Sequence, residues 1–352
     1  APMDERQKKL LLALAVMVIP LGAVSGYLQY THSIRLAADG SYHVGQSTYG
    51  DLSLHLAICT SIVNAKFPLE NSLMLGATMA YPYLSDSVAS TFYLFGMPLN
   101  TSMAFTGTLM MLLTYTGYGL LADQLCRKKG ARWLAFFLLF LNGGLGFFFT
   151  LSGRVEDGAV TTFWDNLRTV MQGYYKPPTN QPDPNNLRWS NIVVDLLIPQ
   201  RATLFGWCVL FAALYLLWRF AFEGESHLWL PLAVLVLPLP LLQTHSALAL
   251  VFLCLAGGLY TLTHRPRTAK NLLPWLGLAA VCGVCWLAEM SGTVLAQSLG
   301  GTNMLRLHFN WVNGNGDGTL KDPWLWFYVK NIGLVFLLIL PAVRHAGTRQ
   351  RW

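Results

Sequence analysis

The chain has 352 residues, of which 54% are hydrophobic and only 12% are charged. A soluble protein carries about 25% charged residues, so this composition excludes an ordinary soluble domain. Several stretches exceed the roughly 18 apolar residues of a membrane helix, and they are continuous, not alternating as in a membrane barrel. The composition therefore predicts an all-α, polytopic helical membrane protein.

The apolar runs predict one transmembrane module over 1–352 with about eight spans. They lie at about 10–30, 101–122, 132–150, 203–220, 228–242, 246–262, 272–291 and 324–342. With the amino terminus inside, the short inner segments hold 14 of the 24 basic residues. This bias fits the positive-inside rule and accounts for the net charge of +7, so no nucleic-acid partner is expected. We expect an integral protein of a bacterial cytoplasmic (inner) membrane.

Three long outer segments follow from this topology, at 31–100, 151–202 and 292–323. In the first, apolar residues between about 52 and 63 predict a helix on the membrane surface or packed against the spans. A second apolar stretch, 84–96, is too short to cross and predicts a peripheral or re-entrant helix. The chain stops after an incomplete-looking set of spans, as the amino-terminal part of a longer protein would.

Polar residues gather on the predicted outer side of the membrane. Four groups share it, namely Asp51 with His55, 188–201, Gln243 with His245, and 306–310. Polar groups at one mouth of an apolar bundle indicate a cavity that opens outward.

Asp51 is the strongest single candidate, since a carboxylate at the membrane surface is costly and is often functional. Asp51 and His55 are four residues apart and hence on one helix face, which suits a general base with a polar partner. The alternative is structural: Asp51 follows Gly50 and would act as the helix N-cap.

The second group surrounds Arg201 at the start of a predicted span. An arginine at this level can bind a phosphate oxygen, with Asn191, Asp195 and Gln200 nearby, although a snorkelling interfacial arginine would look the same. Arg188, beside a tryptophan, is more typical of an interface anchor.

Two further groups are weaker candidates. Gln243 and His245 lie in a short outer turn, either a polar hairpin or a contact to a phosphate leaving group. Arg306 and His308 lie in the third outer segment. Asp317, in a glycine-rich turn, has no spaced acidic partners, so a metal site is not expected there.

The order of features resembles a known superfamily over about 1–150. A basic inner terminus and one span precede Tyr49-Gly50-Asp51, which opens an apolar helix, and Tyr81-Pro82-Tyr83 follows. Next come a short helix ending at Leu94-Phe95-Gly96, a span and a basic inner loop at 127–129. This layout resembles the GT-C superfamily of polyprenyl-phosphate-sugar-dependent membrane glycosyltransferases, in its protein mannosyltransferase and aminoarabinose transferase branch.

The resemblance implies an inverting glycosyltransferase that moves a sugar from a polyprenyl-phosphate donor to an unknown protein, lipid or glycan acceptor on the outer face. Asp51 matches the catalytic acidic position of the family. Many relatives have a second acidic residue there, but Leu52 and Ser53 follow Asp51 here, so no obligatory metal or cofactor is expected. The predicted substrate- and phosphate-binding residues are His55, Tyr81, Arg188, Asn191, Asp195, Gln200, Arg201, Gln243, His245, Arg306 and His308.

Two other classes of protein stay open. A solute transporter or lipid flippase could line an outer vestibule with the same residues, and Pro238 and Pro240 do interrupt one predicted span. A non-catalytic assembly partner with the same architecture would bind the lipid donor without turnover.

Overall fold

The computed structural model describes residues 3–44, 49–66, 69–126, 128–145, 162–165, 168, 186–188, 191–291, 309–314 and 321–345. These residues are mostly helical, as the sequence predicted. The helices are α1 (Glu5–Leu28), α2 (Tyr49–Ser61), α3 (Leu84–Leu94), α4 (Leu99–Leu125), α5 (Lys129–Phe140), α6 (Arg201–Trp218), α7 (Trp229–Val236), α8 (Leu239–Leu242), α9 (Thr244–His264), α10 (Ala269–Ser291), α11 (Trp324–Ile332) and α12 (Leu334–His345).

Two short antiparallel hairpins interrupt the helical pattern and were not predicted. Strand β1 (Ile34–Leu36) pairs with β2 (Tyr42–Val44), and β3 (Glu70–Asn71) pairs with β4 (Met74–Thr78). The first hairpin turns at Asp39-Gly40, where Gly40 has a φ of 85° that favours glycine.

Four helical stretches of the described residues are long and apolar enough to cross a membrane, as an integral membrane protein requires. They are Glu5–Ser33, Arg201–Glu223, Thr244–His264 and Ala269–Ser291. The pair α11 and α12 would add a fifth span, but it bends by 103° at Gly333, whose φ is 72°. The structure thus supports four or five of the eight predicted spans.

The other predicted spans differ for local reasons. The stretch 101–122 lies within α4, which is 27 residues long but rich in threonine and glycine. The stretch 228–242 is broken between α7 and α8 at Pro238, which cannot continue the backbone hydrogen bonding of α7. Helix α5 ends at Phe140, and the rest of the predicted span 132–150 lies partly outside the described residues.

The core forms where α4 packs between α1, α5 and α6. Tyr115 of α4 is fully buried against Phe136 and Phe140 of α5, with ring centroids 6.0 and 4.7 Å away. Its hydroxyl shares a 2.6 Å hydrogen bond with the Ser25 hydroxyl of α1. Buried aromatic rings in edge-to-face contact fix the relative positions of these helices.

Helix α2 lies against this bundle through one face, as predicted. Leu52, His55 and Cys59, spaced three and four residues apart, are all buried, whereas Asp51 is exposed. The buried face packs on α3, and α3 in turn packs on α4 and α6. This stack brings α2 close to the first turn of α6, where the candidate site lies.

Candidate functional site

A buried ionic cluster joins α2, α3 and α6. The carboxylate of Asp86, fully buried in α3, accepts hydrogen bonds from Arg201 Nε at 3.2 Å and from His55 Nδ1 at 2.8 Å. His55 has no exposed surface and Arg201 is 3% exposed. Charges this deeply buried are stable only when they are paired, so the three side chains fix one another's positions.

The other hydrogen-bond donors of Arg201 also contact groups inside the protein. Its guanidinium donates to the carbonyl oxygens of Met103 at 3.0 Å and Ser85 at 3.4 Å, and to Thr106 Oγ1 at 3.0 Å. It also lies over the Phe205 ring, 5.3 Å from the centroid. The phosphate contact predicted for Arg201 stays a prediction, and in this structure the side chain ties α6 to α3 and α4.

His55 is oriented by its carboxylate partner. Since Asp86 accepts the hydrogen bond, we assign the shared proton to Nδ1, and the buried Nε2 has no hydrogen-bond partner among the described residues. The Tyr81 ring meets the imidazole edge-on, with centroids 5.6 Å apart. His55 and Tyr81, which the sequence places 26 residues apart, therefore belong to one site.

Tyr81 is held in its neutral form. Burial, reinforced by the negative charges of Asp51 and Asp86, raises the pKa of the Tyr81 phenol to about 12. The hydroxyl therefore remains a hydrogen-bond donor throughout the physiological pH range.

Asp51 lies one turn of α2 from His55, on the solvent side. Its Oδ2 accepts a 2.5 Å hydrogen bond from Gln200 Nε2, and its Oδ1 has no partner within the described part of the chain. Helix α2 begins at Tyr49, so Asp51 is in the first turn and is not the predicted N-cap. The positive end of the helix dipole still favours its negative charge.

Gln243 reaches the same turn of α6 from the other side. Its amide donates to Thr203 Oγ1 at 2.8 Å and its carbonyl oxygen accepts from Ser246. Gly206 leaves room for this contact, since a Cβ there would lie 2.4 Å from Gln243 Oε1. Gln243 thus fastens α9 to α6, while His245 beside it is exposed.

Asn191 and Asp195 of the second predicted group make structural contacts instead of reaching Asp51. The Asn191 amide donates to the carbonyl oxygens of Phe140 and Asn142 at 3.0 and 3.1 Å, and Asp195 Oδ2 accepts from the Asn191 backbone at 3.0 Å. These bonds hold the segment that leads into α6.

Arg188 lies in a separate polar cluster beside α11. It donates to Asn186 Oδ1 and to the Gly314 carbonyl oxygen, both at 3.2 Å. A substrate role for Arg188, Asn191 or Asp195 stays a prediction, and the positions predicted at 306 and 308 lie outside the described residues.

Asp86 is the site residue that the sequence interpretation missed. It is the single acidic residue of α3 and has no basic residue within one turn on that helix. A lone carboxylate in a short apolar helix was the available signal, because such a group requires a cation from elsewhere in the fold.

The assembled site has an exposed layer and a buried one. Asp51 is exposed and Gln200 is half-buried, while the cluster of His55, Asp86 and Arg201 lies beneath. No group of three or more His, Cys, Asp or Glu side chains in the described ranges is placed to hold a metal ion. The exposed carboxylate can accept a proton from a bound molecule, and the protonated Tyr81 phenol can donate a hydrogen bond.

No family model, no curated protein and no solved structure matches this chain.

Proposed function

We propose that the protein is an inverting glycosyltransferase of the GT-C type. It moves a sugar from a polyprenyl-phosphate donor to an acceptor hydroxyl at the outer face of the membrane. The observation that carries the proposal is the geometry of Asp51. Asp51 is exposed; one of its oxygens is fixed by Gln200 at the start of a span, and the other has no hydrogen-bond partner among the described residues. A carboxylate held in this way is suited to general base catalysis.

In the proposed reaction, Asp51 Oδ1 accepts the proton of the acceptor hydroxyl as that oxygen attacks the anomeric carbon. The bond between this carbon and the phosphate oxygen breaks, and polyprenyl phosphate leaves with the electron pair. Attack opposite the leaving group inverts the anomeric configuration. The neutral phenol of Tyr81 is available to donate a hydrogen bond to a substrate oxygen.

The buried cluster has a positioning role in this proposal. Asp86 connects His55, one turn from Asp51 on α2, with Arg201, the neighbour of Gln200. Both ends of the Asp51–Gln200 hydrogen bond are thereby fixed by one buried carboxylate. Small displacements of a catalytic group reduce the rate strongly, so a fixed base is an advantage.

The test uses the full chain in proteoliposomes with radiolabelled polyprenyl-phosphate mannose and polyprenyl-phosphate aminoarabinose as probes. Release of polyprenyl phosphate reports cleavage, with water replacing the unknown acceptor. Asp51→Asn should reduce cleavage about 100-fold or more while the protein stays folded, since a general base contributes roughly 10²- to 10⁴-fold. Asp39→Asn is the matched control, because Asp39 is an exposed carboxylate in the hairpin turn that follows α1.

The outcomes separate the three classes of protein. Near-normal cleavage by Asp51→Asn would refute the role of the base. Lipid scrambling without donor cleavage would support the transporter class, and donor binding without turnover would support the assembly partner.

A further inference from the structure

A polar cleft lies at the end of α1 and α4 that is opposite the candidate site. Its volume is about 700 Å³, and two helix faces form its walls. Arg6, Lys9, Leu10 and Ala13 form one stripe of α1 with Glu5 beside it, and Lys129, Arg132 and Trp133 form a stripe of α5. The end of α4 closes the cleft with Asp123, Gln124 and Cys126.

Basic side chains outnumber acidic ones in the lining of this cleft. Arg132 pairs with Asp123, and Glu5 pairs with Lys8 at 2.8 Å. Three exposed cations are left, and among the described residues none of them has a carboxylate partner: Arg6, Lys9 and Lys129. They come from two helices far apart in the sequence and face one cleft. The positive-inside rule explains why basic residues are frequent on this face, but it does not explain why these three line the same cleft.

The neighbouring surface restricts where an anion can lie. Arg6 also borders a second cavity of about 390 Å³, whose lining includes Asp4, Glu223 and Glu225. Arg219 also lines this cavity and pairs with Glu223 and Glu225. Together with Asp123, however, its four carboxylates outnumber its two cations, Arg6 and Arg219, and the net negative charge disfavours an anion there. The favourable position is therefore between Lys9 and Lys129.

Apolar side chains adjoin the cations within the cleft. Leu10 and Ala13 follow Lys9 along α1, and Trp133 follows Lys129 by one turn of α5. Tryptophan beside basic residues is typical of the membrane interface, where a lipid phosphate meets its glycerol and acyl chains. A free phosphate ion would use the cations but not this apolar wall.

We infer that this cleft binds the phosphate of an anionic phospholipid from the leaflet on the predicted inner face. Basic pockets between membrane helices bind such headgroups, and each basic residue near the surface contributes about 1 kcal/mol. Phosphate binding here is independent of the glycosyltransferase proposal, because no residue of the cleft belongs to that site.

The test measures thermal unfolding of the detergent-purified full chain against added dioleoyl phosphatidylglycerol, dioleoyl phosphatidylcholine or inorganic phosphate. We expect Tm to rise with phosphatidylglycerol only, and its concentration dependence gives an apparent affinity. Replacing Arg6, Lys9 and Lys129 together by glutamine should weaken that affinity by about fivefold for each residue removed.

The control variant replaces Arg267, Lys270 and Arg344 by glutamine, which removes equal charge from exposed positions on the same predicted face. It should keep the affinity of the unmodified protein. An equal loss in both variants would show general surface attraction and overturn the inference. An unchanged affinity in the cleft variant, or an equal Tm rise with inorganic phosphate, would overturn it as well.

Discussion

Replacing Asp86 by asparagine should destabilise the protein by about 3–5 kcal/mol, the usual consequence of breaking a buried ion pair. Asparagine has nearly the same size, so no cavity contributes. The change removes the negative charge that faces Arg201 Nε at 3.2 Å and His55 Nδ1 at 2.8 Å. Hydrogen bonds to charged groups contribute about 1.5–3 kcal/mol each, and two of them give a similar total.

A double-mutant cycle shows whether the loss comes from the uncompensated cation. In Asp86→Asn the guanidinium of Arg201 stays buried without its counter-ion, whereas Asp86→Asn with Arg201→Gln leaves no charge there. The double variant should therefore be more stable than the sum of the single losses by about 1–3 kcal/mol. The exposed pair of Glu5 and Lys8 is the control, and Glu5→Gln should change stability by less than about 1 kcal/mol.

The assay is reversible unfolding in mixed micelles of dodecylmaltoside and dodecyl sulfate, followed by circular dichroism. Additive losses in the cycle, or a loss below about 1 kcal/mol for Asp86→Asn, would refute the view that a buried ion pair organises this region.

Three further predictions test local contacts. Gly206→Ala should destabilise the protein by about 1–3 kcal/mol in the same assay, since the new Cβ would collide with Gln243. Gly283→Ala is the control and should be neutral or slightly stabilising, because a Cβ at Gly283 would have no atom within 4 Å. Equal effects of the two variants would contradict the tight α6–α9 contact. The absorbance difference between the protein and Tyr81→Phe should titrate near pH 12, because burial and nearby carboxylates disfavour the phenolate, and a midpoint near 10 would exclude that environment. Burial raises the pKa of the Cys59 thiol to about 11, so Cys59 should resist maleimide at pH 8 until the protein unfolds. Rapid labelling of Cys59 in the native protein, detected by mass spectrometry, would contradict its burial.

Much of the local structure follows from the sequence. Apolar runs predicted the helices at 52–63 and 84–96, which correspond to α2 and α3, and unusual charge placement singled out Asp51 and Arg201. The partners of these charges were not predictable from spacing. Arg201 meets a carboxylate 115 residues earlier in the chain, and Gln200 meets one 149 residues earlier. Such contacts depend on how whole helices pack.

The predicted and observed helices differ where short local signals interrupt long apolar runs. Hydropathy treats 228–242 and 324–342 as continuous spans, but Pro238 lies at the break between α7 and α8 and Gly333 lies at the bend between α11 and α12. Asp39-Gly40 was a recognisable turn dipeptide, yet its flanking strands are only three residues long. Strands of that length leave almost no periodic pattern to detect.

The first turn of α6 connects the parts of the candidate site. Gln200 reaches Asp51 on α2, Arg201 reaches Asp86 on α3, and Thr203 reaches Gln243 at the start of α9. Displacing this turn would change all three contacts together, so the position of the exposed carboxylate depends on the buried ion pair. If Asp51 is the base, variants of Asp86 that remain folded should lower turnover through the position of Asp51, while variants of Asp51 should lower turnover with little loss of stability.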